Sequence, residues 1–425
     1  MWYDKIVSLF RNKDLRNKFI FILFLFVVFR IVANIPIPGI GTEGLRKFFA
    51  QNQVFGLLNV FSGGALSNFS IVLLGLGPYI TATIILQLLT MIFPSLERLY
   101  KEEGEAGRQK FNQYGRLLTI PLAAFEGYGI LTLFQRQGVL GHLSPLLMLS
   151  SIVTIIAGSM FLMWIGELIT EQGMGNGISL LIFAGIVARL PENIFQTFVS
   201  WDPSKIPSYL LFLVLAIVII AGVVLVTEAR RNIPVSYAKR IRGSKMYGGT
   251  STYLPLNVNP AGVIPIIFAL SILLFPGLIA GFLGGVPGFV GNAANTTATF
   301  FNDPWVHGIL YFLLVILFTY FYTAVTFDPK MIAENLQKMG GFIPGVRPGN
   351  STSEFLKHIL NRVLFTGAVF LGLIAVLPSI VAGLTGVTGF TFLIGGTSLL
   401  IIVSVVLDTM RQINAQLQMR EYDTF

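Results

Sequence analysis

A polytopic, all-helical membrane architecture is predicted by three features of this 425-residue chain. Hydrophobic residues make up 54% of it and charged residues only 12%, against about 25% charged in a soluble globular domain. Long apolar runs alternate with short charge-rich breaks, and the runs approach the roughly 20 residues that carry a helix across a bilayer. Cysteine is absent, which excludes a disulfide scaffold, a thiolate nucleophile and a thiolate-ligated metal site. His142, His307 and His358 are too dispersed for a metal centre, so no metal or other cofactor is expected.

Ten spans are predicted, at residues 19–33, 71–93, 117–134, 146–165, 178–198, 209–227, 261–283, 306–327, 363–383 and 390–407. The first lacks a small-residue cleavage site after it and is followed by nine more, so it is expected to stay as a span and not to be removed as a signal peptide. Before the second, the apolar stretch from Phe55 to Gly77 is interrupted by Ser62, Gly63, Gly64 and Asn68. It reads as a short helix that cannot span, with the true span beginning at Pro78. Irregular backbone at membrane depth is tolerated only inside protein or beside a water-filled cavity, so this break points to a cavity entered from outside. The apolar run of the fifth span halts at Arg189 and Pro191 and resumes at Ile194. The seventh span opens with Gly262 and Pro265, and such breaks five spans apart suggest two inverted halves, residues 1–190 and 191–425, meeting at a central site. The connection from Gly281 to Asp303 is rich in Gly, Asn and Thr without a cation, and reads as solvated filler.

With ten spans, one side of the membrane receives both termini and 23 of the 29 Lys and Arg residues, against 5 on the other when Arg189 of the fifth span is counted there. Basic connections stay cytoplasmic, which places both termini in the cytoplasm. Arg30 lies near the end of the first span and is expected to snorkel to the interface. The loops 228–260 and 328–362 are long for a compact membrane domain and mix cations with aromatic, Gly and Pro residues. They either set topology and touch anionic lipid, or dock a large partner.

Chemistry is sparse. There is no phosphate-cradling loop, nucleophile elbow or His-Glu zinc helix in the sequence, and Gly173, Gly175 and Gly177 read as a tight lead-in to the fifth span. Enzymatic activity has no positive support. At membrane depth stand Glu126, in the third span, and Thr83 and Gln87, one turn apart in the second; ionisable groups there ask for a functional explanation, although Glu126 could equally be satisfied within the bundle. A proton-coupled carrier would carry several such groups. Their scarcity favours a passive channel over the alternative of a secondary transporter for a small solute.

The segments FSGGALSNFSI, GPYITATIILQLLT, EGEAGRQKFNQYGR, ITEQGMGNGISLLIFAGI, VSYAKR, STYLPLNVNPAGVIPIIFA, GFIPGVRPG and GGTSLLIIV occur in this order. Together they resemble the SecY family, the channel subunit of the bacterial Sec protein-translocation complex. The resemblance implies two five-helix halves around an hourglass pore in the prokaryotic cell (inner) membrane. It implies a constricting ring at Ile80, Ile84, Ile182, Ile186, Ile267 and Ile401; taken alone, each isoleucine would read as packing or lipid contact. It implies a plug over residues 61–70, comprising Phe61, Ser62, Gly63, Gly64, Ala65, Leu66, Ser67 and Asn68. A lateral gate between the second and seventh spans would carry Thr83, Gln87, Glu126 and Ser271, whose hydrogen bonds are expected to hold it shut. Tyr237, Lys239, Arg240 and Arg347 would dock the motor ATPase SecA or the ribosome. SecE-like and SecG-like subunits, signal sequences, nascent polypeptides and membrane lipid complete the implied partners. The function implied is conduction of unfolded secretory polypeptides across the membrane and sideways release of membrane segments.

Overall fold

The structure is a computed structural model that describes residues 12–38, 62–136, 138–141, 143–199, 203, 206–237, 240–242, 245–247, 251–283, 288–385 and 396–423. Helix α1 (Lys13–Val32) starts where the Asn12 side chain accepts a hydrogen bond from the backbone N–H of Asp14. Residues 62–76 form consecutive turns and lead into α2 (Gly77–Ile92). Pro94 forces the preceding Phe93 into extended backbone, and α3 (Pro94–Lys101) consequently leaves α2 at 112°. Then follow α4 (Gly104–Arg136), α5 (Pro145–Glu171, capped by Ser144), α6 (Gly177–Val199) and α7 (Ile206–Glu228). The strands that follow are β1 (Arg230–Tyr237), β2 (Arg240–Arg242), β3 (Lys245–Tyr247) and β4 (Ser251–Asn257). After them come α8 (Ile264–Leu283), α9 (Phe289–Asn302), α10 (Pro304–Thr326), α11 (Pro329–Lys338), β5 (Gly341–Phe342), α12 (Asn350–Thr385) and α13 (Gly396–Asp423).

The ten predicted spans fall on α1, α2, α4, α5, α6, α7, α8, α10, α12 and α13. Pro191 does not break α6, because neighbouring protein in a bundle can satisfy the freed carbonyl. The glycine-rich lead-in to α6 is tight: Gly173 has φ 71°, Thr170 Oγ1 accepts from the N–H of Gly177, and Asn176 Oδ1 caps the helix by accepting from Ile178 and Ser179.

One expectation about a connection is corrected. The segment expected to be solvated filler contains α9, which packs on α8 and α10 with Ala294 buried; its alanines supply helix propensity without an apolar run long enough to signal a span. The two long loops, 228–260 and 328–362, share one small sheet. β1 pairs antiparallel with β4, matching Ile233 with Leu254, and with β5, matching Tyr237 with Gly341, in a sheet ordered β4-β1-β5. Ile233 and Val235, alternating along β1, close over Leu256, Leu336, Ile343 and Leu356 in a separate small core.

Candidate functional site

Five of the six isoleucines, from α2, α6, α8 and α13, are buried in the large apolar core that the helices share, and Ile80 packs against it. Ile84, Ile182, Ile186, Ile267 and Ile401 are buried, and Ile80 packs against them half-buried. On α2 and α6 the i, i+4 spacing puts each pair on one face. Such a cluster offers water and ions no hydrogen bonds, so passage through it carries the desolvation cost of a polar group in hydrocarbon.

Against this cluster lies the 62–76 segment. Phe61 is outside the described residues. Ser62, Gly63, Gly64, Ala65 and Leu66 are buried, and Ser67 and Asn68 are half-buried. Ala65 and Val72 join the central cluster, whereas Leu66, Phe69 and Leu73 enter a second cluster with Leu131, Phe134 and Ile155. The expected short helix is corrected here: Gly63, Gly64, Phe69 and Gly75 have φ values of 65°, 92°, 46° and 57°, left-handed backbone that a regular helix cannot absorb. The turns hold through the N–H of Ser70 on the Ala65 carbonyl and the N–H of Leu66 on Ser62 Oγ.

Long-range bonds fasten the segment. The N–H of Ile37 donates to the Phe69 carbonyl and that of Ile71 to the Ile35 carbonyl, forming an antiparallel bridge between Pro36 and Ser70. Asn68 Nδ2 donates to Asn34 Oδ1 over 3.0 Å. Arg30 does not snorkel away; its Nη1 turns inward and donates to the Gly63 carbonyl at 2.8 Å, because an irregular turn leaves that carbonyl without a helical partner. Arg189 Nη2 donates to Ser67 Oγ at 2.7 Å. The one sequence signal of this contact is the arginine that interrupts the apolar run of the fifth span. Glycine is required where these groups meet. A Cβ on Gly63 would stand 3.0 Å from the Gly185 Cα, and one on Gly64 would stand 2.5 Å from the Arg189 guanidinium.

The predicted gate residues lie on helices in contact, since α8 packs on both α2 and α4. They do not form the expected network. Thr83 donates to the Tyr79 carbonyl and Ser271 to the Ile267 carbonyl, each within its own helix, because a Ser or Thr hydroxyl is satisfied most locally by the carbonyl one turn back. Gln87 is buried, and no donor among the described residues reaches its Oε1. Glu126 faces the Thr81 hydroxyl and the first turn of α2, where its Oε2 would be 3.7 Å from a Cβ on Gly77. The N-cap of α2 has no side-chain hydrogen bond, so a negative group beside that helix end complements the helix dipole.

Of the predicted docking residues, Tyr237 is half-buried and packs on the platform core, with its ring against Gly341. Lys239 lies outside the described residues, and Arg240 pairs through its backbone with Tyr247 in the β2–β3 hairpin. Arg347 is exposed, and its carbonyl accepts a hydrogen bond from Thr352 Oγ1. At the platform's base, Arg411 of α13 grips Glu228 Oε1 through Nη2 at 2.7 Å and also donates to the Thr227 carbonyl. Gln416 donates to the Gly173 carbonyl. Thus α13 ties the platform base to the lead-in of α6.

A family model described as SecY matches residues 70–410. Among curated relatives, the protein translocase subunit SecY of Streptomyces galbus is 43% identical over 98% of both chains. The protein translocase subunit SecY of Thermus thermophilus is 44% identical, covering 97% of this chain and 95% of the relative. Among solved structures, a protein conducting channel superposes with a TM-score of 0.64 at 22% identity, covering 93% of this chain and 90% of the other. Sec61 in the canine ribosome-channel complex gives 0.63 at 21% identity with the same coverage. These structural likenesses speak for the fold.

Proposed function

The chain belongs to the SecY family, and from that membership we propose that it is the channel-forming subunit of a protein translocase, gated at membrane depth and driven from the cytoplasm by a partner. The observation that carries the reading is the arrangement of six isoleucines from four helices in one apolar cluster, with a buried turn segment against it. An apolar ring excludes water and ions at rest, yet spreads around a polypeptide without charge preference. Ile80, Ile84, Ile182, Ile186, Ile267 and Ile401 act as that ring, and residues 61–70 as the plug. The contact of α2 with α8 supplies the lateral gate, around Thr83, Gln87, Glu126 and Ser271. In this role Glu126 anchors the first turn of α2 instead of taking part in a polar clasp.

The sheet-based platform docks the driving partner, SecA or the ribosome, through its exposed cations, Arg347 first among them. A guanidinium binds carboxylate or RNA phosphate in the same forked geometry. Tyr237 contributes by holding β1 against β5. SecE-like and SecG-like subunits stabilise the two halves, 1–190 and 191–425, and both termini face the cytoplasm with the platform.

The test is reconstitution of the chain with its SecE-like partner in proteoliposomes, adding SecA, ATP and a secretory precursor, and scoring protease protection. ATP-dependent protection is the expected result. No protection despite SecA binding and correct insertion would overturn the reading and return attention to small-solute transport and Glu126.

A further inference from the structure

Two arginines of the membrane domain converge on one short turn. Arg30, from the end of α1, reaches the Gly63 carbonyl at 2.8 Å, and Arg189, from α6, reaches Ser67 Oγ at 2.7 Å. Both are partly buried. A guanidinium at membrane depth is costly and persists where it has fixed partners, and hydrogen bonds from a charged donor are among the stronger ones. The fit is close on the other side as well, because Gly64 has no space for a Cβ beside the Arg189 guanidinium.

The position of Arg189 along α6 matters. Ile182, Gly185, Ile186 and Arg189 follow i, i+3, i+4, i+7 spacing and therefore share one helical face. That face holds two residues of the apolar cluster, the glycine on which Gly63 rests, and the arginine that bonds Ser67.

We propose that Arg189, assisted by Arg30, is a latch that holds residues 62–70 against the closed ring, and that it is a positioning residue for the plug. The proposal rests on the translocase reading. Since the latch shares a face with Ile182 and Ile186, a polypeptide that spreads the ring displaces the same surface to which the plug is fastened.

The test measures resting ion leak in planar bilayers containing the complete complex. Arg189→Gln is expected to raise the leak about tenfold, the population shift that loss of one charge-assisted hydrogen bond gives. Ser67→Ala removes the same bond from the plug side and keeps the test available if the arginine variant inserts poorly; the double variant should leak no more than Arg189→Gln. The chain has no native cysteine, so a disulfide between Asn34→Cys and Asn68→Cys, whose wild-type side chains are hydrogen-bonded, reports on docking. Locking that bridge in the Arg189→Gln background should restore the seal. Wild-type leak in both single variants, or a leak that persists with the bridge formed, would overturn the latch. Because leak is read without a motor or precursor, failure of the latch and failure of translocation are separate results.

Discussion

The cluster among the membrane helices and the sheet platform are both apolar cores, yet their surroundings make them behave differently. In water, burying Ile233, Val235, Leu256 and Leu356 contributes about 1.5–3 kcal/mol per side chain, so the platform has strong reason to stay folded. In a bilayer, isoleucine gains no comparable advantage from leaving lipid for protein. The cluster is therefore held by shape, and the turn segment against it by a few polar ties, among them the bonds of Arg30 and Arg189. The contrast is a division of labour: the membrane cluster and its turn segment rest on packing and individual bonds, whereas the sheet platform rests on the hydrophobic effect.

The most severe intervention removes the freedom to part. A cysteine pair across α2 and α8, at Gln87 and Ser271 or one turn away, should abolish translocation when oxidised and restore it on reduction, measured by precursor protection. Full transport with the bridge formed would deny that these helices separate. The second intervention weakens the packing itself. Ile84→Gly with Ile186→Gly replaces two buried side chains of the cluster by hydrogen and should raise resting conductance in planar bilayers by an order of magnitude or more. An unchanged conductance would remove these isoleucines from the seal.

The third asks whether the two regions are separable. Leu356 is fully buried in the platform core, and Leu356→Ala should cost about 2–5 kcal/mol there. Limited proteolysis should then open the 228–260 segment and partner binding should fall, while resting leak stays at the wild-type level. A rise in leak would mean that platform and ring are mechanically one body, with the Arg411–Glu228 and Gln416–Gly173 contacts as the connection to examine.

The same contrast explains what was legible in the sequence. Bilayer thickness imposes a length on every span, so ten helices could be placed from hydropathy alone, and i, i+4 isoleucines announced a face. Patterns that depend on tertiary neighbours were not legible. The pairing of Tyr237 with Gly341 joins segments far apart in the chain, and nothing local to either strand names its partner. Helix α9 hid among Ala, Asn and Thr because its stability comes from packing on α8 and α10. Arg30 was read by its distance from the interface, which is blind to a carbonyl exposed by a left-handed turn. The family resemblance assigns Thr83 and Ser271 to a hydrogen-bonded seam, and motif matching is blind to the carbonyl one turn back that each hydroxyl meets.

The smallest expected effect lies at the platform surface. Arg347 is exposed, so reversing its charge removes no buried contact, and Arg347→Glu should leave folding, insertion and resting leak unchanged. What it alters is encounter. A cation on a docking face raises association by steering and by direct pairing with carboxylate or phosphate, and both contributions shrink with salt. Motor-driven transport should fall several-fold at low ionic strength, with a smaller difference from wild type as salt is raised. Equal rates at every salt concentration would take Arg347 out of the docking face and move the search to the other platform cations. A loss independent of salt would point instead to the β5–α12 turn, where the Arg347 carbonyl holds Thr352, as the feature the partner reads.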